Sequence, residues 1–242
     1  MTTQSMDTSQ LTTLGPVIHR HPDQDNWVAS VLEQLVGALN SPHPQRLLLS
    51  GGSTPAPFYR FLAETPYLDW TRLELGLVDE RWLPDGDANR NDKLIQTHLL
   101  AHQPQARLKP LAQPARGWDR SAEAANHWWQ AGPIPAAAVL GMGNDGHTAS
   151  LFPGAMDLAT AVSSSDPYAR LDASGCPGAQ SWPQRLTLTP AGLAAIPLRL
   201  LLLRGQDKLD TLAAALASND PAAAPILHAL AGPAPLQVHW CP

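Results

Sequence analysis

Residues 139–154, with the sequence VLGMGNDGHTASLFPG, point most directly to the fold of this chain. The stretch begins apolar and then passes through three glycines within six residues, with Asp145 and His147 two positions apart among them. Glycines let a backbone turn tightly and approach a ligand closely. The pattern is typical of a buried strand that ends in a functional loop at the carboxyl edge of an α/β sheet.

Apolar residues elsewhere in the chain follow two periods. Helical spacing predicts helices at about 25–39, 58–62, 93–100, 121–129, 206–216 and 222–230. Short apolar runs predict strands at 46–49, 73–78, 136–140, 198–203 and 236–240, with an edge strand near 17–18. This alternation predicts an α/β fold: a three-layer, mostly parallel, doubly wound sheet with helices on both faces.

Three other segments give weaker signals. Residues 184–189, QRLTLT, alternate polar and apolar and are expected to form a half-buried strand. Residues up to about Pro16 are expected to form an irregular N-terminal segment, the lead-in. Residues 163–183 are rich in Ser, Pro and Gly and are expected to form a long irregular connection, the excursion. Since no repeat or linker divides the chain, we expect a single domain over residues 1–242.

Composition excludes several classes of protein. The 242 residues are 44% hydrophobic and 15% charged, as expected of a folded chain. With a net charge of −5, the chain lacks the excess of basic residues that is typical of nucleic-acid-binding proteins, so we expect no nucleic-acid partner. Neither a signal peptide nor a membrane-spanning apolar run is evident. Together with only two cysteines, Cys176 and Cys241, this predicts a cytoplasmic protein that does not bind membranes.

A glycine-rich loop follows the first buried strand. It consists of Ser50, Gly51, Gly52, Ser53 and Thr54, and it precedes a predicted helix. Free backbone N–H groups at a helix start favour an anion, most often phosphate. The alternative is an ordinary glycine-rich turn, because neither a Walker pattern nor G-x-G-x-x-G is present.

Two other predicted strand ends carry ionisable groups. Asp79, Glu80 and Arg81 follow the second strand, where Arg81 could bind phosphate oxygens or stabilise an oxyanion; the alternative is a surface charge cluster. Asp145 and His147 could be an orienting carboxylate and a general base. The alternative is a loop histidine that Asp145 merely caps.

The C-terminal third adds two candidate cations. Arg185 lies on the alternating strand, and Lys208 lies in the first turn of a helix, where a cation is mildly unfavourable for the helix dipole. That placement suggests a ligand anion, although a solvated lysine would look the same. We expect no metal, because the histidines nearest to His147, His102 and His127, lack ligand spacing. A serine hydrolase is disfavoured, since no G-x-S-x-G elbow is present.

Taken together, the segments resemble the 6-phosphogluconolactonase family. The matching pieces, in the family's order, are LSGGSTP (49–55), VDERWLP (78–84), D-x-x-x-N (87–91), GMGNDGHTASLFPG (141–154), RLTLT (185–189) and GQDK (205–208). The resemblance implies a fold like that of the group containing glucosamine-6-phosphate deaminase. It also implies hydrolysis of 6-phosphoglucono-1,5-lactone to 6-phosphogluconate in the oxidative pentose phosphate pathway, without a metal or other cofactor.

The resemblance also implies roles for individual residues. His147 would be the general base that activates water, and Asp145 would orient or polarise the His147 imidazole. Arg81 would help hold the substrate and stabilise the tetrahedral oxyanion. Arg185 and Lys208 would clamp the phosphate with the loop 50–54, and the remaining substrate contacts would come from Asp79 and Asn91. The sequence departs from the family at Arg90, which replaces the usual Ser, and in the shortened lead-in Trp182-Pro183-Gln184.

Two alternatives share this fold. A sugar-phosphate deaminase or isomerase would continue the central motif with a carboxylate-bearing segment, where this chain has Phe152. A non-catalytic sugar-phosphate sensor would not need the intact Asp145 and His147 pair. We therefore favour ester hydrolysis of a phosphorylated sugar lactone. We also expect the enzyme to be a monomer.

Overall fold

A seven-stranded parallel sheet forms the centre of the computed structural model, which describes residues 15–242. Most of the predicted lead-in lies outside the described residues. The strands follow the order β1 (Val17–Arg20), β10 (Gln237–Cys241), β9 (Leu198–Arg204), β6 (Ala137–Leu140), β2 (Gln45–Leu49), β3 (Leu73–Leu77) and β5 (Arg107–Leu108). Each adjacent pair is parallel, which confirms the predicted α/β class.

Helices alternate with these strands along the chain. They are α1 (Gln24–Leu39), α2 (Ala56–Glu64), α3 (Asn91–Ile95) with a π-helical continuation (Gln96–Leu100), α4 (Trp118–Gln130), α5 (Leu158–Ser163), α6 (Pro190–Ala195) and α7 (Gln206–Ser218). Short 3₁₀ helices occupy Pro114–Arg116, Pro177–Ala179 and Pro225–Leu230; the last replaces most of the helix predicted at 222–230. Across residues 15–242, every helix is too short or too polar to span a bilayer.

The first helix illustrates how local sequence sets these elements. Asp23 accepts a hydrogen bond from the Asn26 N–H over 2.9 Å and so caps the start of α1. Val28, Val31 and Leu35 then recur at helical spacing and are buried. Such a stripe forms an apolar face that packs on the sheet core.

A second sheet corrects three expectations. It contains β4 (Asp79–Arg81), β8 (Gln184–Leu188) and β7 (Tyr168–Asp172), paired antiparallel in that order. Asp79–Arg81 is therefore a strand and not a loop, and the alternating strand 184–188 lies outside the parallel sheet. The excursion predicted at 163–183 contains β7, whose alternation is weak because only Tyr168 and Leu171 within it are buried.

The strand order contains a switch point beside the candidate motifs. From β2 the chain adds β3 on one side, whereas β6 returns to the other side of β2. In open α/β sheets, ligands bind at the carboxyl ends of the strands flanking such a reversal. Here β2 leads into Ser50 and β6 leads into Gly141. The topology therefore brings together two loops that are far apart in the sequence.

Three histidines stack at the β1 edge of the sheet. The ring of His239 lies 4.5 Å from that of His19 and 5.3 Å from that of His21, between centroids. His239 is fully buried, and its Nε2 has no hydrogen-bond partner among the described residues. Burial, and then the charges of His19 and His21, lower the pKa of His239 to about 3.

We expect His239→Phe to reduce the acid sensitivity of this protein. The pKa of His239 is near 3 in the folded state and near 6.5 in the unfolded state. As the pH falls below about 6.5, the His239 imidazole is therefore protonated in the unfolded state but not in the folded state. Stability should therefore decrease by about 2 kcal/mol between pH 6.5 and pH 5 from this group alone. Denaturant unfolding at pH 7.5 and 5 should show a smaller decrease for the variant; an identical decrease would contradict this account.

Candidate active site

A cavity of about 310 Å³ opens at the carboxyl ends of the central strands. Ligand pockets start at about this size. It is lined by every predicted site residue except Asp145: Ser50, Gly51, Gly52, Ser53, Thr54, Asp79, Arg81, Asn91, His147, Arg185 and Lys208. These residues come from strands β4 and β8 of the second sheet, from α3 and α7, and from the loops that follow β2 and β6 of the parallel sheet. The fold therefore brings into one cleft side chains that lie up to 158 positions apart in the sequence, as Ser50 and Lys208 do.

Asp145 lies behind His147 and holds its ring. The Nδ1–H of His147 donates to Asp145 Oδ1 over 2.6 Å, and the His147 backbone N–H donates to the same oxygen over 3.2 Å. Burial is the largest single effect and would raise the pKa of Asp145, but the hydrogen bonds and the charge of His147, with the backbone N–H of Asp145, together outweigh it and lower the pKa. Because Nδ1 carries a proton and donates it to Asp145 in this hydrogen bond, Nε2 is the ring nitrogen that can accept a proton.

Two glycines and a phenylalanine enclose this pair. A Cβ atom at Gly143 would stand 2.2 Å from His147 Nδ1, and one at Gly178 would stand 2.2 Å from Asp145 Oδ2. The ring of Phe152 lies 4.3 Å from the ring of His147, between centroids. Gly178 belongs to the segment predicted as an excursion, so sequence reasoning missed it; no signal in the sequence links it to Asp145.

Three cations line the cavity, each restrained differently. Arg185 is buried and donates to Trp182 O over 2.6 Å and to Ala179 O over 3.1 Å. Lys208 Nζ donates to Met142 O over 2.6 Å. Burial lowers the pKa of both Arg185 and Lys208. Since these contacts satisfy only part of their donor capacity, both cations can still donate to an anion in the cavity.

Arg81, the third cation, lies on β4 and lines the cavity. Its Nη1 donates to Asn89 O, and its guanidinium carbon stands 5.4 Å from the centre of the Trp182 ring. Its Nε is buried and has no hydrogen-bond partner among residues 15–242. An unpaired buried donor of this kind is costly. A ligand oxygen would satisfy it.

Asp79 and Asn91 form a polar floor. Ser150 Oγ donates to Asp79 Oδ2 over 2.5 Å, and Asn91 Nδ2 donates to Asp79 O and Oδ1 over 2.9 and 3.2 Å. These bonds orient the Asn91 amide, so its Oδ1 is left as an acceptor without a partner among the described residues. The buried Ser50 Oγ is also unpaired within residues 15–242. Both atoms could hydrogen-bond ligand hydroxyl groups.

The glycine-rich loop is shaped by its neighbours. A Cβ atom at Gly51 would stand 1.9 Å from Asn91 Oδ1, so only glycine fits there. Gly52 has φ +101°, a conformation that side chains rarely adopt. Tyr59 from α2 anchors the loop by donating to Ser50 O over 2.6 Å. The loop thus runs close beside Asn91 as it enters α2.

Arg90, the departure from the family pattern, is directed away from the cavity. It is 2% exposed and bonds to Asp92, Asp85, Leu83 O and Ala112 O. It is not one of the described residues that line the cavity. The arginine therefore braces the loop before α3 from behind and makes no contact with the cavity.

Comparison with known proteins identifies the family. The family described as glucosamine-6-phosphate isomerases/6-phosphogluconolactonase matches residues 23–240. The chain belongs to this family. The resemblance that the motifs indicated is thereby confirmed.

Individual members of the family are similar over nearly the full length. A 6-phosphogluconolactonase of Xylella fastidiosa is 49% identical over 226 residues, covering 91% of this chain and 94% of the relative. One from Pseudomonas aeruginosa is 42% identical over 218 residues, covering 88% of each. The crystal structure of a 6-phosphogluconolactonase from Shewanella baltica superposes with a TM-score of 0.85 at 27% identity, covering 94% of this chain and 98% of that one.

The described residues contain no obvious metal site. Within residues 15–242, no group of three or more His, Cys, Asp or Glu side chains is placed to hold a metal ion. The three stacked histidines at the β1 edge are included in this statement.

Proposed function

We propose that this chain hydrolyses 6-phosphoglucono-1,5-lactone to 6-phosphogluconate, the lactonase step of the oxidative pentose phosphate pathway. The observation that carries the proposal is a single cavity lined by His147 and by three cations, with Asp145 bonded to the imidazole. An imidazole held by a carboxylate suits a general base near neutral pH. The cations suit a substrate that carries a phosphate and develops an oxyanion.

The proposed reaction needs no covalent intermediate. His147 Nε2 removes a proton from a water molecule as the water oxygen attacks the lactone carbonyl carbon. The carbonyl oxygen becomes an oxyanion, which Arg81 stabilises in our proposal. As the carbonyl re-forms, the bond to the ring oxygen breaks, and His147 returns the proton to that leaving oxygen. Asp145 keeps the imidazole oriented and favours its charged form.

The remaining groups would bind the substrate. We assign the phosphate to Arg185, Lys208 and the loop 50–54, because the loop's backbone N–H groups and the two cations line the same cavity. We assign sugar hydroxyl groups to Asp79 and Asn91. The unpaired Oδ1 of Asn91 supports this, since it is an acceptor that a hydroxyl could satisfy.

A sugar-phosphate deaminase on the same fold is the second candidate. Its ring opening needs a second proton-transferring group beside the histidine. In this chain the ring of Phe152 packs against His147, with 4.3 Å between ring centroids, and it cannot transfer protons. The contact therefore favours lactone hydrolysis.

The direct test generates the lactone in situ from glucose 6-phosphate and follows its disappearance. Catalysed opening well above the spontaneous rate supports the proposal, and no acceleration contradicts it. Release of ammonia from glucosamine 6-phosphate, without lactone opening, would instead indicate the deaminase. Binding of 6-phosphogluconate without either reaction would indicate a sensor.

We expect Lys208→Ala to raise KM by about 10- to 100-fold, since a charge-assisted hydrogen bond contributes about 1.5–3 kcal/mol to binding. The bond to the phosphate is common to ground and transition states, so kcat should change little. Steady-state kinetics check this, with Lys109→Ala as the control because Lys109 is an exposed lysine that does not line the cavity. A decrease confined to kcat would contradict the phosphate assignment.

The wider context of the enzyme is also a proposal. We propose one domain over residues 1–242, supported by one cavity that strands of the second sheet line together with the loops following β2 and β6 of the parallel sheet. A cytoplasmic location is supported by Cys176 and Cys241, which are both free thiols. Neither the net charge of −5 nor the cavity suggests nucleic acid as a partner. We further propose a monomer, which size-exclusion chromatography with light scattering would test.

A further inference from the structure

Glu80 is the most buried carboxylate near the site, and no step of the proposed reaction uses it. It is 0% exposed and is not one of the described residues lining the cavity. Successive side chains of a strand point to opposite faces. Since Asp79 and Arg81 face the cavity from β4, Glu80 is directed away from it, toward the start of α3.

The Glu80 carboxylate binds three backbone N–H groups. Its Oε1 accepts from the Arg81 N–H and from the Asn91 N–H, each over 2.7 Å, and its Oε2 accepts from the Asp92 N–H over 2.8 Å. The first bond holds the backbone of one cavity residue, and the second holds the backbone of another. A single side chain thus ties β4 to the first turn of α3.

Both tethered residues present functional atoms to the cavity. Arg81 has its unpaired Nε, and Asn91 has its unpaired Oδ1. The segment between them is polar and rich in turns, with no helix or strand between β4 and α3. Without the carboxylate, the relative position of these two residues would depend on that loop, on the Arg90 contacts that brace it, and on the amide contact between Asn91 and Asp79.

We propose that Glu80 is a positioning residue that sets the Arg81 and Asn91 side chains against the substrate through their backbone N–H groups. The inference rests on the proposed lactonase function. It concerns substrate geometry, because a displacement of about 1 Å from productive geometry can cost roughly 100-fold in rate.

The charges around Glu80 agree with this role. Burial raises the pKa of Glu80 to about 7, with a smaller contribution from Asp92, while the three N–H groups favour its charged form. Arg90 from the same loop lies nearby: burial alone would lower its pKa, but its hydrogen bond to Asp92 and the charges of Asp92, Glu80 and Asp85 raise it. On β8, burial lowers the pKa of Arg185, and the Glu80 charge opposes this only slightly. The three N–H groups and Arg90 therefore offset part of the cost of burying this carboxylate.

Two substitutions separate positioning from general stability. Glu80→Gln keeps an oxygen in the Oε1 position, which can accept from both Arg81 and Asn91, but it directs an NH₂ group at the Asp92 N–H. Glu80→Ala removes both acceptor oxygens and with them all three hydrogen bonds. We therefore expect kcat/KM to fall by about 100-fold in Glu80→Ala and by less than about tenfold in Glu80→Gln. Both variants should lose thermal stability, because each leaves buried donors unsatisfied.

The control is Glu74→Gln. Glu74 accepts from Arg46 over 3.0 Å and from Trp128 over 2.8 Å, and it does not line the cavity. The same chemical change there should lower the melting temperature and leave kcat/KM unchanged. All kinetics are to be measured at a temperature at which every variant is folded by circular dichroism.

Amide hydrogen exchange tests the tether independently of turnover. In Glu80→Gln the Asn91 amide should stay protected while the Asp92 amide exchanges faster, and in Glu80→Ala both should exchange faster. The proposal is overturned if activity follows melting temperature across all variants, or if Glu80→Ala keeps kcat/KM within about threefold of wild type. If the wild type fails to open the lactone, the proposed function fails, and the exchange of the Asn91 and Asp92 amides, which needs no turnover, decides the tether: faster exchange of both in Glu80→Ala supports it, and unchanged exchange overturns it.

Discussion

Replacing His147 with alanine should lower kcat for lactone opening by about 100- to 10,000-fold, the usual contribution of a positioned general base. The imidazole is the group in the proposed reaction that takes the proton from water, and nothing else bonded to Asp145 can substitute for it. Binding of 6-phosphogluconate should persist, because Arg185 and Lys208 are unchanged. Rapid kinetics with lactone generated in situ, together with calorimetric titration of the product, measure both quantities.

The control for this experiment is Asp145→Asn. An asparagine can keep the hydrogen-bonded geometry but cannot stabilise the charged imidazole, so its loss of kcat should be smaller than that of His147→Ala. The pH profile adds a second criterion, because the limb due to the base should vanish in His147→Ala. Unchanged turnover in His147→Ala, with the variant folded, would exclude His147 as the base.

The sequence predicted the parts of this fold that follow simple periodicity. Buried parallel strands are continuous apolar runs, and β9, with the sequence LRLLLLR, was predicted to within one residue at its carboxyl end. The predicted parallel class also accounts for the meeting of the loops after β2 and β6, because parallel strands end at one sheet edge. His147, Arg185 and Lys208 were candidates from their positions alone, the family motifs then implied their roles, and all three line one cavity.

The parts that could not be predicted depend on tertiary contacts. β4 has three residues, too few for alternation to show, so Glu80 could not be distinguished from Asp79 and Arg81 in orientation. β7 could not be found because its exposed face and turns resemble a loop. The contact of Gly178 with Asp145 arises only when a distant segment folds back over the loop, and no pattern in the sequence records it.

That contact makes Gly178→Ala the second large prediction. The new methyl group would stand 2.2 Å from Asp145 Oδ2 and 3.2 Å from His147 Nδ1. Real Cβ contacts do not fall below about 3.0 Å, so either the carboxylate or the segment must move. Gly178 is not among the glycines with positive φ, so alanine causes no backbone strain, and the effect comes from the contact alone. We expect kcat to fall by about 100-fold, with little change in the binding of 6-phosphogluconate.

A double-mutant cycle identifies the cause. In an Asp145→Ala background the methyl group meets no carboxylate, so adding Gly178→Ala should lower kcat little further, and the two effects should be strongly non-additive. Gly37→Ala in α1 is the matched control, because a Cβ there meets nothing within 4 Å; it should raise stability by about 0.5–1 kcal/mol and leave kcat unchanged. Additive losses would mean that Gly178 acts on the reaction by some route other than Asp145, and a fully active Gly178→Ala would mean that residues 177–179 yield in place of the carboxylate.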